Sequence, residues 1–263
     1  MIACLGDSNT DSNWQYVRPG GFPPGGGWCE QLGSLLGGRA TMVNLGAPGA
    51  TAVWTKLPPV AEQGIFFNGY DQLEHALAAS CADVVLIAFG TNDVLPGYGY
   101  DAAGIVAAHL DLVRSAHDAG MLAFVATAPR PLPVPKRKFY SRSVEAVARF
   151  NELLRRALPP ETILDFEARL VPEDSFDDLH MNLEGQRKRA LEAKARIDGA
   201  LARGPLLPPP PGPRLDDGCC RACRVTSPLP PPLPMRPPTP AASAPEPPGA
   251  GAGSAPRSSG RSG

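Results

Sequence analysis

Residues 83–89, Asp-Val-Val-Leu-Ile-Ala-Phe, are nearly all apolar or β-branched, and the run stops at Gly90-Thr91-Asn92-Asp93. A strand of this composition has to be covered on both faces, as the central strand of a parallel sheet is. Parallel strands need crossovers long enough to hold a helix, and the rest of the chain supplies them. Apolar residues at helical spacing predict helices over 28–36, 71–80, 101–119, 143–158 and 183–201. Short apolar runs at 1–5, 41–45, 121–126 and 162–166 predict further strands. Strand and helix alternate throughout, so the expected fold class is α/β: a three-layer α/β/α sandwich around a parallel sheet.

In such a sheet the loops that follow the strands emerge on one edge, where open α/β sheets bind ligands. That edge should collect Ser8, Gly46, Asn92 and the loop beginning at Pro129. Ser8 follows the first strand directly, in Gly6-Asp7-Ser8, and is a candidate nucleophile. A serine nucleophile needs a base. Three of the four histidines, His75, His109 and His117, fall inside predicted helices and read as surface or partly buried helix positions. His180 lies instead in Asp177-Asp178-Leu179-His180, between the last strand and the last helix. A carboxylate three residues before a histidine in a turn can fold back and fix the ring's tautomer, which selects Asp177 over Asp178. An oxyanion needs donors, and the Ser8 and Gly46 backbone N–H groups and the Asn92 amide are the candidates. Gly46-Ala47-Pro48-Gly49 lacks the Gly-x-Gly-x-x-Gly of a dinucleotide site.

Gly6-Asp7-Ser8, the Gly46 turn, Gly90-Thr91-Asn92-Asp93 and Asp177-x-x-His180 together resemble the four sequence blocks of the SGNH hydrolases, or GDSL-type esterases and lipases. The resemblance covers about residues 1–203, in the family's order and spacing. Two positions depart from its pattern: Asn9 where the first block has leucine, and Met181 where proline usually follows the histidine. The resemblance implies a flavodoxin-like arrangement and hydrolysis of carboxylic esters without cofactor or metal. It implies Ser8 as nucleophile, His180 as general base and then acid, Asp177 as its orienting partner, and Ser8, Gly46 and Asn92 as the oxyanion hole. It also implies that Asp7 and Asp93 brace loops rather than bind a metal or act as a glycosidase pair. Candidate substrates are short acyl, acetyl-sugar or lipid esters. Acyl transfer to a sugar or alcohol by the same residues is the alternative enzyme reading, and a carbohydrate-binding module is the non-catalytic one.

The remaining features bound the setting. Of the 32 prolines, 18 follow Gly204, so residues 1–203 are expected to form the domain and 204–263 a disordered Pro/Gly/Ala-rich tail. A docking role for the tail with an SH3-like partner is the lesser reading. A net charge of −1 gives no support for nucleic acid as partner, and no apolar run approaches a membrane span. With no recognisable signal segment, the expectation is cytoplasmic, with export possible if translation starts upstream. In that setting Cys4, Cys29 and Cys81 are expected to be buried thiols, and Cys219, Cys220 and Cys223 adventitious rather than metal ligands.

Overall fold

The computed structural model describes residues 1–11, 23, 25–53, 66–80, 82–95, 101–130, 144–177 and 179–202. All of them lie in one unit, Met1–Pro232. The tail at 204–263, with Cys219, Cys220 and Cys223, lies outside the described residues, as do Cys81 and Asp178.

Five parallel strands build the sheet: β1 (Ile2–Gly6), β2 (Met42–Asn44), β3 (Val84–Ala88), β4 (Leu122–Ala126) and β5 (Ile163–Leu164), in the order β2-β1-β3-β4-β5. This is the flavodoxin-like order, in which the chain leaves β1 toward one side and later returns to its other side. The helices are α1 (Trp28–Leu35), α2 (Gly69–Ser80), α3 (Ala102–Asp118), α4 (Val144–Ala157), the single-turn α5 (Phe166–Arg169) and α6 (Leu183–Ala202). Asp101 starts α3 by accepting a hydrogen bond from Gly104 N–H at 2.6 Å.

Side-chain alternation along the strands sorts the core into two layers. Ala3 and Leu5 of β1, Val85 and Ile87 of β3, and Ala123 and Val125 of β4 pack with Leu73, Ile105, Leu112, Val147 and Phe150 of α2, α3 and α4. The alternate residues Ile2, Cys4, Leu86, Ala88, Phe124 and Ala126 pack with Trp28, Leu32, Ala190, Ala193 and Ile197 of α1 and α6. Covering on both faces is the reason these strands carry no polar alternation.

Three expectations change. The strand expected over 162–166 shrinks to Ile163–Leu164, because Asp165 caps α5 and Phe166 turns down into the α1/α6 layer. His109 is fully buried in α3 between Phe89 and Phe150, with ring centroids 6.4 and 5.1 Å away. Cys4 and Cys29 are not thiols: a disulfide joins β1 to α1, with the Cα atoms 6.4 Å apart. Cys4 points into the α1 layer by strand alternation, and Cys29 is buried one residue into α1, so the two meet beneath the sheet.

Candidate active site

The site is built where β1 and β3 end level with each other, Gly6 opposite Ala88. Directly after β1 the backbone coils: Asp7 O accepts from Thr10 N–H (2.9 Å) and Asp11 N–H (3.0 Å), and Asp7 Oδ1 accepts from Asn9 N–H (2.8 Å). Ser8 is thereby held at the head of a tight turn. Gly6 permits that turn, since a Cβ there would lie 2.1 Å from Thr10 Oγ1 and 2.9 Å from Ala88 O. Gln72 of α2 reaches under the turn, accepting from Gly6 N–H (2.8 Å) and donating to Gly6 O (3.0 Å).

The loop before α6 delivers the histidine. It closes on itself through Phe176 N–H to His180 O (3.1 Å) and Ser175 Oγ–H to His180 O (3.0 Å). Within it Asp177 folds back onto the ring, with Oδ2 2.7 Å and Oδ1 2.9 Å from His180 Nδ1. Asp177 Oδ1 also accepts from the backbone N–H of His180 (2.8 Å) and of Leu179 (3.3 Å). On the far side of the ring, His180 Nε2 lies 3.0 Å from Ser8 Oγ. Burial pushes the Asp177 carboxyl up, but the hydrogen bond and charge of His180 and the two backbone donors outweigh it and bring it down to about 2. Asp177 is thus a carboxylate at working pH, facing an Nδ1–H. That proton assignment leaves Nε2 with its lone pair toward the Ser8 hydroxyl.

The two remaining acids are loop braces. Asp93 accepts from Gly90 N–H (3.1 Å), Ala52 N–H (3.0 Å) and Val53 N–H (3.2 Å), tying the loop after β3 to the one after β2. Burial pushes its carboxyl up to about 7 despite those backbone donors. Burial likewise raises Asp7. Among the described residues no three His, Cys, Asp or Glu side chains form a metal cluster.

The expected oxyanion donors divide. Asn92 Nδ2 donates to Ala50 O at 2.8 Å, which fixes the amide, and an amide nitrogen carries a second N–H. Gly46 has a single N–H, and it donates to Asn44 Oδ1 at 3.0 Å. The geometry therefore does not offer Gly46 as a donor. What Gly46 does is admit the Ser8 turn: a Cβ would lie 2.4 Å from Asp11 N and 2.7 Å from Thr10 C. Gly46→Ala is expected to lower stability by ~1–3 kcal/mol, the usual penalty of overpacking against backbone. Urea unfolding of the variant measures it.

Sequence reasoning passed over several residues that hold this site. Gln72 and Arg189 sit in helices among charged or polar neighbours, and only their burial, 0% and 1% exposed, marks them. The aromatic residues Trp14 and Trp54 and most of the loop at 129–140 lie outside the described residues. Phe66 packs its ring on His75, centroids 4.8 Å apart, and Phe67 packs on the core.

A family model described as the GDSL-like Lipase/Acylhydrolase family matches residues 4–188. No curated protein matches the chain. Among solved structures, the chain resembles the M. smegmatis aryl esterase at 20% identity and TM-score 0.61, over 75% of this chain and 98% of that one. It resembles a carbohydrate acetylesterase family member from Sinorhizobium meliloti at 21% identity and TM-score 0.60, over 76% and 98%. A G-D-S-L family lipolytic protein from Veillonella parvula DSM 2008 matches at 21% identity and TM-score 0.53, over 78% and 98%.

Proposed function

The chain belongs to the GDSL-like lipase/acylhydrolase family, and from that premise we propose that it hydrolyses carboxylic esters through an acyl-serine intermediate on Ser8. The observation that carries this reading is the line Asp177–His180–Ser8, with contacts of 2.7 Å at Nδ1 and 3.0 Å at Nε2.

Ser8 Oγ attacks the ester carbonyl while His180 Nε2 takes its proton. The charge that forms on the imidazole faces the Asp177 carboxylate. The tetrahedral oxyanion takes hydrogen bonds from Ser8 N–H and from the second N–H of the Asn92 amide. His180 then returns the proton to the leaving alcohol, and the acyl group stays on Ser8. A water deprotonated by the same nitrogen attacks the acyl-serine, the acid leaves, and Ser8 regains its proton.

Kinship to an aryl esterase and a carbohydrate acetylesterase supports esters of short acyl groups as the first substrates to try. A p-nitrophenyl ester panel of increasing chain length, run beside Ser8→Ala, tests the reading. Turnover on the shorter esters by the native chain, and none by Ser8→Ala, is the expected result. Full turnover by Ser8→Ala, or none on any ester, would overturn it. Product analysis with an added alcohol separates hydrolysis from acyl transfer. The Cys4–Cys29 bond supports an oxidising compartment rather than the cytoplasm as the working environment.

A further inference from the structure

Asn9 is the residue at which the first block departs from Gly-Asp-Ser-Leu, and it touches both halves of the site. Its side chain spans the two flanks of His180: Nδ2 donates to Leu179 O at 3.3 Å, and Oδ1 accepts from Met181 N–H at 3.3 Å. Its main chain is held just as fully. The N–H donates to Asp7 Oδ1 at 2.8 Å, and the carbonyl accepts from Arg189 Nη1 at 2.7 Å and Gln186 Nε2 at 3.4 Å. One residue therefore links the nucleophile turn, the histidine loop and α6.

Arg189 is an unusual partner for that carbonyl. It is 1% exposed, on the inner face of α6 with Gln186, Ala190 and Ala193. Its guanidinium stacks over Phe166 at 4.6 Å and Trp28 at 5.3 Å, and Nη1 also donates to Gln186 Oε1 at 3.2 Å. Burying a guanidinium is costly unless its charge is used. Here the opposite charge is Asp7, the residue before the nucleophile, and the cation and the carboxyl attract each other across the turn. Arg189 Nε is buried and has no hydrogen-bond partner among the described residues. The cation is thus retained under Ser8 without being fully satisfied by hydrogen bonds, a pattern that marks a functional constraint more than a stabilising pair.

We infer that Asn9 and Arg189 are positioning residues that set the reach of His180 Nε2 to Ser8 Oγ. The inference rests on the acyl-serine reading above and deepens it. Neither residue touches the ester. Asn9 fixes the histidine loop relative to the turn, and Arg189 fixes Asn9 by its carbonyl. A displacement of about 1 Å between reacting groups costs on the order of 100-fold in rate, so loosening this bridge falls on the chemical step rather than on substrate binding.

The experiment measures kcat and KM on p-nitrophenyl acetate, and the second-order rate of fluorophosphonate labelling of Ser8. The variants are Asn9→Leu, Arg189→Lys and the double variant, each normalised to titrated active sites. Asn9→Leu keeps the branching and the number of side-chain heavy atoms and removes the bridge. Arg189→Lys keeps the cation and loses the fork. Asn9→Leu is expected to lower kcat and the labelling rate together by roughly 10- to 100-fold, with KM within about twofold. Arg189→Lys is expected to lose less, and the double variant no more than Asn9→Leu alone, since both act through one bridge. A purely structural role would lower the melting temperature and the titratable fraction while leaving the rate per active site unchanged; that result overturns the inference. Should Asn9→Leu not fold, Arg189→Lys decides on the same readouts. Absence of labelling at Ser8 in the native chain would remove the acyl-serine reading, and this inference with it. Normal labelling in the native chain and in folded variants would remove this inference alone.

Discussion

His180→Ala is expected to lower kcat for ester hydrolysis by about 10⁴- to 10⁶-fold, and Asp177→Asn by about 10³- to 10⁴-fold. The difference follows from position. His180 Nε2, 3.0 Å from Ser8 Oγ, is placed to take the proton of that oxygen and return it. Asp177 acts one step away, through Nδ1 at 2.7 Å. An asparagine there turns an N–H toward a ring nitrogen or toward the His180 and Leu179 amides, all of which now donate to the carboxylate. Either the ring adopts the wrong tautomer or the loop loses its internal hydrogen bonds. Single-turnover measurements on p-nitrophenyl acetate separate these losses from slow deacylation. Asp177→Asn activity within tenfold of the native rate would remove Asp177 from the site.

Acid lability is the second large effect, and it comes from His109. Nδ1–H donates to Ile105 O at 2.8 Å, so Nε2 carries the lone pair, buried without a partner among the described residues. Burial holds the ring down to about 4, from an ordinary 6.5. The unfolded chain therefore takes up a proton as pH falls below 6.5, while the folded chain refuses it until about 4. Folding stability is fully present above 6.5 and is lost across that window, by about 3 kcal/mol in all. Asp93 works with the opposite sign. Its carboxyl, raised to about 7, takes up a proton in the fold before the unfolded chain does, which adds stability as pH falls. Comparing the native chain with His109→Leu isolates the histidine, because both share Asp93. Urea midpoints at pH 8 and pH 5 should show the variant gaining about 2 kcal/mol relative to the native chain on acidification. Parallel pH curves for the two proteins would show that His109 is charged or solvated in the fold.

The parts of this molecule that sequence foretells are those where one physical demand acts alone. Val85 and Ile87 face one layer and Leu86 and Ala88 the other, so burial on both sides shows directly as an unbroken apolar run. The spacing of Asp177 and His180 fits a single turn, so its folding back was legible too. Gly46 shows where two demands produce the same letter. A glycine at a strand end can be an oxyanion donor or can give room to a neighbouring backbone, and only the Asn44 hydrogen bond and the closeness of Asp11 tell them apart. Arg189 sits in Arg187-Lys188-Arg189, which reads as a solvated run. Its helical phase with Ala190 and Ala193 turns it inward, yet a charge on an apolar stripe has meaning only once its partners Asn9 and Asp7 are known. The cysteine pair was hidden for another reason: 25 residues separate Cys4 from Cys29, and pairing over that distance depends on how α1 lies on the sheet.

That pairing has a consequence for what a single molecule of this protein is. Ser8 lies between Cys4 and Cys29, inside a covalent ring whose long arm is the Gly- and Pro-rich stretch before α1. A peptide bond cut anywhere in that arm would put Ser8 on one polypeptide and Asp177 and His180 on another, joined by one sulfur bridge. The cut protein would run as a single species without reductant and as two with it. The line Ser8–His180–Asp177 would then run across two chains held together by the disulfide and by the packing of β1 between β2 and β3.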